Sequence, residues 1–140
     1  MNYNTFRSAS GWYRLIYPEH WEMEIIEEIP AFYDPTGDGA LQVSAFQNKD
    51  GEYELTNVMK NYLSRHKISY NPSSIANFVD ANGCEVQACE FISEGRFWMV
   101  YMLARGSLLV LCTYNGDERP DKVQSRIIQG ILRSIQVEEE

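Results

Sequence analysis

The chain opens with short stretches in which apolar and polar residues take turns, the period of a half-buried strand. Trp12-Tyr-Arg-Leu-Ile-Tyr17 is one such stretch, stopped by Pro18. Trp21-Glu-Met-Glu-Ile-Ile26 is another, with Trp21, Met23 and Ile25 on one side and Glu22 and Glu24 on the other. Ala31-Phe-Tyr33 and Ala40-Leu-Gln-Val-Ser-Ala-Phe46 flank Asp34-Pro-Thr-Gly-Asp-Gly39, whose residues favour tight turns, so together they predict a hairpin. The period then becomes helical: Leu55, Val58, Met59, Tyr62 and Leu63 form one apolar stripe. Thr56 is placed to cap that helix, and Lys60, Arg65 and Lys67 suit its C-terminal half. Asn71-Pro72 bars any continuation.

The second half reads as an antiparallel meander of four runs, residues 75–80, 84–92, 97–104 and 108–114. Asn82-Gly83, Glu94-Gly95 and Arg105-Gly106 supply the turns, Asn-Gly being the strongest hairpin signal among them. Two-residue turns at the last two places oppose Cys89 to Val100 and Cys112 to Met99. One face then carries Trp98, Val100, Met102, Leu109 and Leu111, and the other carries Phe97, Met99, Tyr101, Leu103, Leu108, Val110 and Cys112. A strand with one wet face alternates apolar and polar residues, and these two do not, so both their faces are expected to be covered.

A final helix after Asp117, with Pro120 near its start, offers a stripe of Val123, Ile127, Ile131 and Ile135, with Ile128 and Leu132 beside it. Residues 137–140 are expected to fray, because three carboxylates oppose the negative end of a helix dipole. One helix is thus available for each face. The predicted fold is α+β, a three-layer α/β/α sandwich built on a mostly antiparallel twisted sheet with a C-terminal meander. No repeat or linker divides the sequence, so residues 1–140 are expected to form one domain.

Charge narrows the range of partners. Asp and Glu number 20 against 12 Lys and Arg, a formal net charge of -8. A negative field disfavours sequence-independent binding to nucleic acid and docking on anionic lipid. No apolar run has the length of a signal-peptide core or a membrane span, so the expected location is the cytoplasm. The three cysteines, Cys84, Cys89 and Cys112, form no CxxC pair. With strands about 4.8 Å apart the meander register keeps them beyond disulfide reach, and free thiols fit a reducing compartment.

Two stretches carry a resemblance. Tyr13-Arg-Leu-Ile-Tyr-Pro-Glu-His-Trp21 looks like the strand, Tyr-Pro, two residues, Trp opening of PsbP-like domains, and Phe32-Tyr-Asp-Pro-Thr-Gly-Asp-Gly-Ala-Leu-Gln-Val-Ser44 is similar to the hairpin that follows there. The order of helix, meander and terminal helix also resembles that family. The resemblance implies a bacterial member of a fold shared by photosystem II extrinsic subunits, a yeast Ran-release factor and bacterial domains, some of them adaptor- or chaperone-like. It implies protein binding without shared catalytic residues, and it carries no functional residue over, because the matched positions belong to turns and core.

The polar candidates read as structural. Asp34, Thr36, Asp38 and Gly39 sit at the first, third, fifth and sixth places of a calcium-loop spacing, but Ala45 stands where the bidentate Glu is required. His20 lies in a turn and His66 at a helix end, and the pairs Glu27-Glu28 and Asp117-Glu118 abut turns. No nucleophile elbow, zinc-protease or phosphate-loop motif is present, so no catalytic residue, metal or cofactor is expected. Aromatics have more functional pull, since Trp and Tyr anchor interfaces. Trp21, Phe32, Tyr33 and Tyr53 lie near turns or the first helix and are the candidate partner-binding set, against the competing reading that most aromatics are core. The expected function is a non-catalytic, intracellular protein-binding domain, adaptor- or chaperone-like. The alternative is a small-ligand-binding protein or enzyme with a cleft near the 34–39 hairpin, where His20, Asp34 or Asp38 would converge.

Overall fold

A computed structural model describes residues 1–138. Ten strands and two helices run in the order β1 (Tyr3–Arg7), β2 (Tyr13–Pro18), β3 (Glu22–Ile26), β4 (Ile29–Tyr33), β5 (Ala40–Gln47), α1 (Leu55–Arg65), β6 (Ala76–Val79), β7 (Glu85–Ser93), β8 (Arg96–Arg105), β9 (Leu108–Gly116), α2 (Lys122–Ser134) and β10 (Gln136–Val137). A short 3₁₀ turn, Pro72–Ser74, precedes β6. All the pairings are antiparallel, and with two helices the fold is α+β.

The strands make two sheets. The larger has the order β3-β4-β5-β9-β8-β7-β6, and the smaller has the order β1-β2-β10. The hairpin flanking residues 34–39 forms as expected, with Ala31 opposite Gln42 and Phe32 opposite Leu41. The stretch read as the first strand does not join the large sheet. It sits between β1 and β10, neither of which the sequence pattern announced. In β1 only Phe6 turns inward, so little alternation marks it.

The meander places its faces as predicted. Phe97, Met99, Tyr101, Leu103, Leu108, Val110 and Cys112 share a core with Ile128, Ile131 and Leu132 of α2 and with Tyr13 and Leu15 of β2. Val100, Met102, Ala104 and Leu109 share a second core with Leu55, Met59 and Leu63 of α1. Cys89 lies opposite Val100 as expected. Cys112, however, lies opposite Tyr101, because the turn is Gly106–Ser107 and Arg105 pairs with Leu108. Gly106 supplies the positive φ of that turn. Moving a two-residue turn by one position changes the facing residue by two, so every side chain keeps its face. The three thiols are free, and Cys84 and Cys112 are buried.

Several local expectations are corrected. The stripe of α2 centres on Ile128, Ile131 and Leu132, whereas Val123 is 66% exposed at the helix start, before α2 reaches the core. Asp121 caps this helix, accepting the Gln124 N–H at 2.8 Å. Thr56 does not cap α1, whose N-cap is Glu54. Instead Thr56 accepts a hydrogen bond from the buried Gln87 amide at 2.9 Å. Val137 is not frayed: it is buried in β10 opposite Tyr13, and the Glu138 N–H donates to the Trp12 carbonyl at 2.7 Å. The last two glutamates lie outside the described residues.

The turn joining β3 to β4 consists of Glu27 and Glu28 themselves, with Ile26 opposite Ile29. Both glutamates have positive φ, 50° and 70°, in the left-handed region that asparagine and glycine prefer.

Candidate functional site

The packing leaves a cleft at each end of α2. The larger, of about 690 Å³, opens between the C-terminal half of α2 and the β6 end of the large sheet. It exists because α2 lies chiefly against β2, leaving the outermost strands on that face uncovered. Ala88, Met99 and Tyr101 line it from the sheet, and Gln129 and Arg133 line it from the helix. Phe78 stands at the edge with 45% of its surface exposed. Burial and the neighbouring Asp80 push the Tyr101 phenol up to about 12, outweighing the opposite pull of Arg133, so its hydroxyl stays neutral at physiological pH. Glu90 closes the far end, paired with Arg119, whose guanidinium also lies 4.7 Å from the centre of the Phe97 ring.

β6 borders this cleft and is an edge strand, exposed at all four of its residues, with Val79 at 67%. The loop after it is closed by the Asp80 side chain, which accepts the N–H groups of Asn82 and Cys84. Asn82-Gly83 therefore works within a longer loop than a two-residue turn. Asp80 donates its own N–H to the Cys84 carbonyl, which fixes the ladder's phase. Alternation along an antiparallel ladder then turns the N–H and C=O of Asn77 and Val79 away from β7, toward the open edge. Residues 68–79 carry no charge at all.

The second cleft, of about 370 Å³, lies beside the 34–39 hairpin at the N-terminal end of α2. Trp21, Asp34, Asp38 and Tyr114 line it, with Glu118 from the segment before α2 and Gln124 from the first turn of the helix. Asp34 is committed to the hairpin. Its Oδ1 accepts the backbone N–H and hydroxyl of Thr36 at 2.9 and 2.8 Å, and its Oδ2 accepts the Gln124 amide at 2.5 Å. These bonds, the Thr36 backbone bond foremost, hold its carboxyl below the usual range. Asp38 accepts the Asp117 N–H at 2.7 Å, tying the hairpin to the end of β9. Gly39 lies directly under Tyr114, where a Cβ would come 2.0 Å from the phenol oxygen.

The candidate partner-binding residues separate. Trp21 and Phe32 are buried in the larger core, so the expectation that they are exposed anchors is corrected for both: Phe32 packs against Phe6 and Tyr17, with ring centres 5.3 and 5.1 Å apart. Tyr33 is half-buried, and its hydroxyl donates to Glu24 at 2.6 Å and reaches Glu22 at 3.1 Å, bonds that raise its pKa. Tyr53 is half-buried against the α1 core. The structure does not gather these four into one surface. His66 packs among Tyr62, Phe91 and Trp98, while His20 lies beside Met1, Asn2 and Glu19. No group of three or more His, Cys, Asp or Glu side chains with metal-site geometry occurs among the described residues. β6 carries neither Trp nor Tyr, and the signal for its edge in the sequence is the uncharged run ending at Val79.

Compared with known families, residues 1–140 match a domain of unknown function, DUF3805, across the whole length. The chain belongs to the DUF3805 family. No curated protein matches it. Among solved structures it is similar to cyanobacterial PsbP (CyanoP) from Synechocystis sp. PCC 6803, with a TM-score of 0.66 at 16% identity, covering 97% of this chain and 92% of that one. It is equally similar to a protein from Bacteroides thetaiotaomicron VPI-5482, with a TM-score of 0.66 at 18% identity over 100% of this chain. The chain spans only 50% of that protein's length. These matches establish a PsbP-like fold for this DUF3805 domain, as the two sequence stretches implied.

Proposed function

We propose that this DUF3805 domain is a non-catalytic, adaptor-like protein-binding module that takes up an extended segment of a partner along β6. The observation that carries the reading is the edge itself. Asn77 and Val79 turn unpaired backbone groups outward beside an apolar cleft. Natural sheets blunt such edges with charge, proline or bulges, and β6 has none of these. Adding a strand to a sheet edge is an established recognition mode, in which main-chain bonds give affinity and alternate side chains enter pockets. An uncharged edge in a chain of net charge -8 favours an uncharged, alternately apolar segment over an acidic one. The free thiols support a reducing compartment such as the cytoplasm. The two cores on alternate residues of β8 and β9 support a three-layer arrangement with a helix toward each face.

Selection of random peptides displayed on phage tests this directly. Sequences apolar at every second position are expected to be enriched by the wild-type domain. Phe78→Asp, and Asn77→Pro, which removes an outward donor without breaking the β6–β7 ladder, are expected to weaken their binding by about tenfold or more. No enrichment, or peptides that bind both variants as well as wild type, would overturn the proposal.

A further inference from the structure

We infer that the groove between α2 and the β6 side of the large sheet docks an amphipathic helix of a partner protein, with acidic residues along its α2-facing flank. This surface is a sheet face rather than the open backbone of β6, and it stands whether or not a strand adds there.

The groove is longer than the cleft beside β6. A hollow of about 350 Å³ continues that cleft toward the start of α2, and the two share Glu90 and Met99. Lys122, Ser125, Arg126, Gln129 and Arg133 line it from the helix, spaced as one face along about 16 Å of α2. Residues 122–134 include those three cations and no carboxylate, in a chain of net charge -8. None of the three has an ion-pair partner among the described residues. Lys122 opens α2, where a cation opposes the helix dipole, so its placement works against the helix itself. The carboxylates that also line the groove are engaged: Glu90 pairs with Arg119, and Asp80 accepts two backbone N–H groups.

The floor selects the form of the occupant. β7 lies between β6 and β8, and β8 between β7 and β9, so both backbones are paired on each side and offer side chains only. An extended chain laid across them would bury its own N–H and C=O groups without partners, whereas a helix satisfies its own. Exposed Ala76 stands opposite half-buried Ala88, and these small residues beside Phe78 leave room for a helix packed next to α2. Apolar residues facing that floor set one flank of the docked helix against Lys122, Arg126 and Arg133, which calls for Asp and Glu there. The net charge does not oppose this. At physiological salt, charges more than about 8 Å away are largely screened, and the groove's own cations come first.

The test is selection from phage-displayed helical peptides about four turns long, with Leu and Ala fixed along one stripe and Glu, Gln or Lys varied on the flanks. Wild type and Asn77→Pro are both expected to enrich helices with Glu along one flank. A synthetic peptide of the enriched sequence is expected to bind the double variant Lys122→Glu with Arg126→Glu about tenfold more weakly, and its Lys-flanked counterpart more tightly. Should that variant lose its cooperative urea transition, Lys122→Gln with Arg126→Gln gives the same reading at about threefold. No enriched helix, enrichment of neutral or Lys flanks, or equal binding to the charge variants would overturn the inference. Loss of binding in Asn77→Pro would assign the peptide to the β6 edge as a strand, overturning this inference and leaving strand addition standing.

Discussion

Gly39 illustrates how much a single residue can decide in this fold. The strand that begins at Ala40 must pass under the Tyr114 ring, and the hairpin reaches it only because residue 39 lacks a side chain. Gly39→Ala is expected to force Tyr114 or the hairpin aside and to lower unfolding free energy by about 1–3 kcal/mol, measured by urea denaturation. The same residue could be noticed in the sequence as part of a turn-rich segment, yet its actual role is clearance under an aromatic ring 75 positions later, which no local pattern encodes. Trp21 teaches a similar lesson. Its alternation with Met23 was legible, but whether it faced solvent or core depended on β2 and α2 closing over it. Residue identity alone could therefore nominate an aromatic anchor without saying on which side of the molecular surface it would lie.

At the scale of elements, what the chain states plainly is periodicity, and what it states poorly is turn position. The faces of β8 and β9 were legible because both strands are apolar on each side, and a turn displaced by one residue does not disturb that division. Strands β1 and β10 were not legible, since the first is mostly exposed and the second has two residues. The exact position of the β3–β4 turn is not legible, because its two positive-φ residues are glutamates, which carry no turn signal. Replacing them as a pair, Glu27→Asn with Glu28→Gly, is expected to relieve strain and raise stability by about 1–2 kcal/mol. The check is a higher urea midpoint with an unchanged slope, since the surface exposed on unfolding stays the same. An unchanged or lower midpoint would mean that these side chains contribute a compensating interaction.

For the whole molecule, the two cores join distant parts of the chain, and their ionisable groups set an alkaline limit to stability. Burial pushes Cys84 and Cys89 up to about 11 from an ordinary 9.0, and Tyr62 and Tyr101 up to about 12 from 10.0. Below pH 9 the folded and unfolded chains both keep these protons, and the full stability is present. As pH rises, the unfolded chain releases protons that the folded chain retains, so stability falls through pH 11 and toward 12. A thermal midpoint that is level from pH 7 to 9 and declines steadily above it is the expected result. Both cores were foreshadowed by the doubly apolar meander, and the turn residues 34–39 pointed to the smaller cleft, but the larger cleft beside β6 was not legible, because it arises from where a helix stops covering a sheet. The small sheet has a further consequence. β2 is flanked by β10, and Arg14 bonds to Gln136 across 122 residues of sequence. On the ribosome, the β1–β2 hairpin must therefore emerge with Tyr13 and Leu15 unpacked and wait until residues 122–137 are made before α2 and its third strand exist. During that interval the nascent chain presents an incomplete sheet, and the rate of synthesis up to Val137 sets how long that sheet stays open to aggregation or to a chaperone.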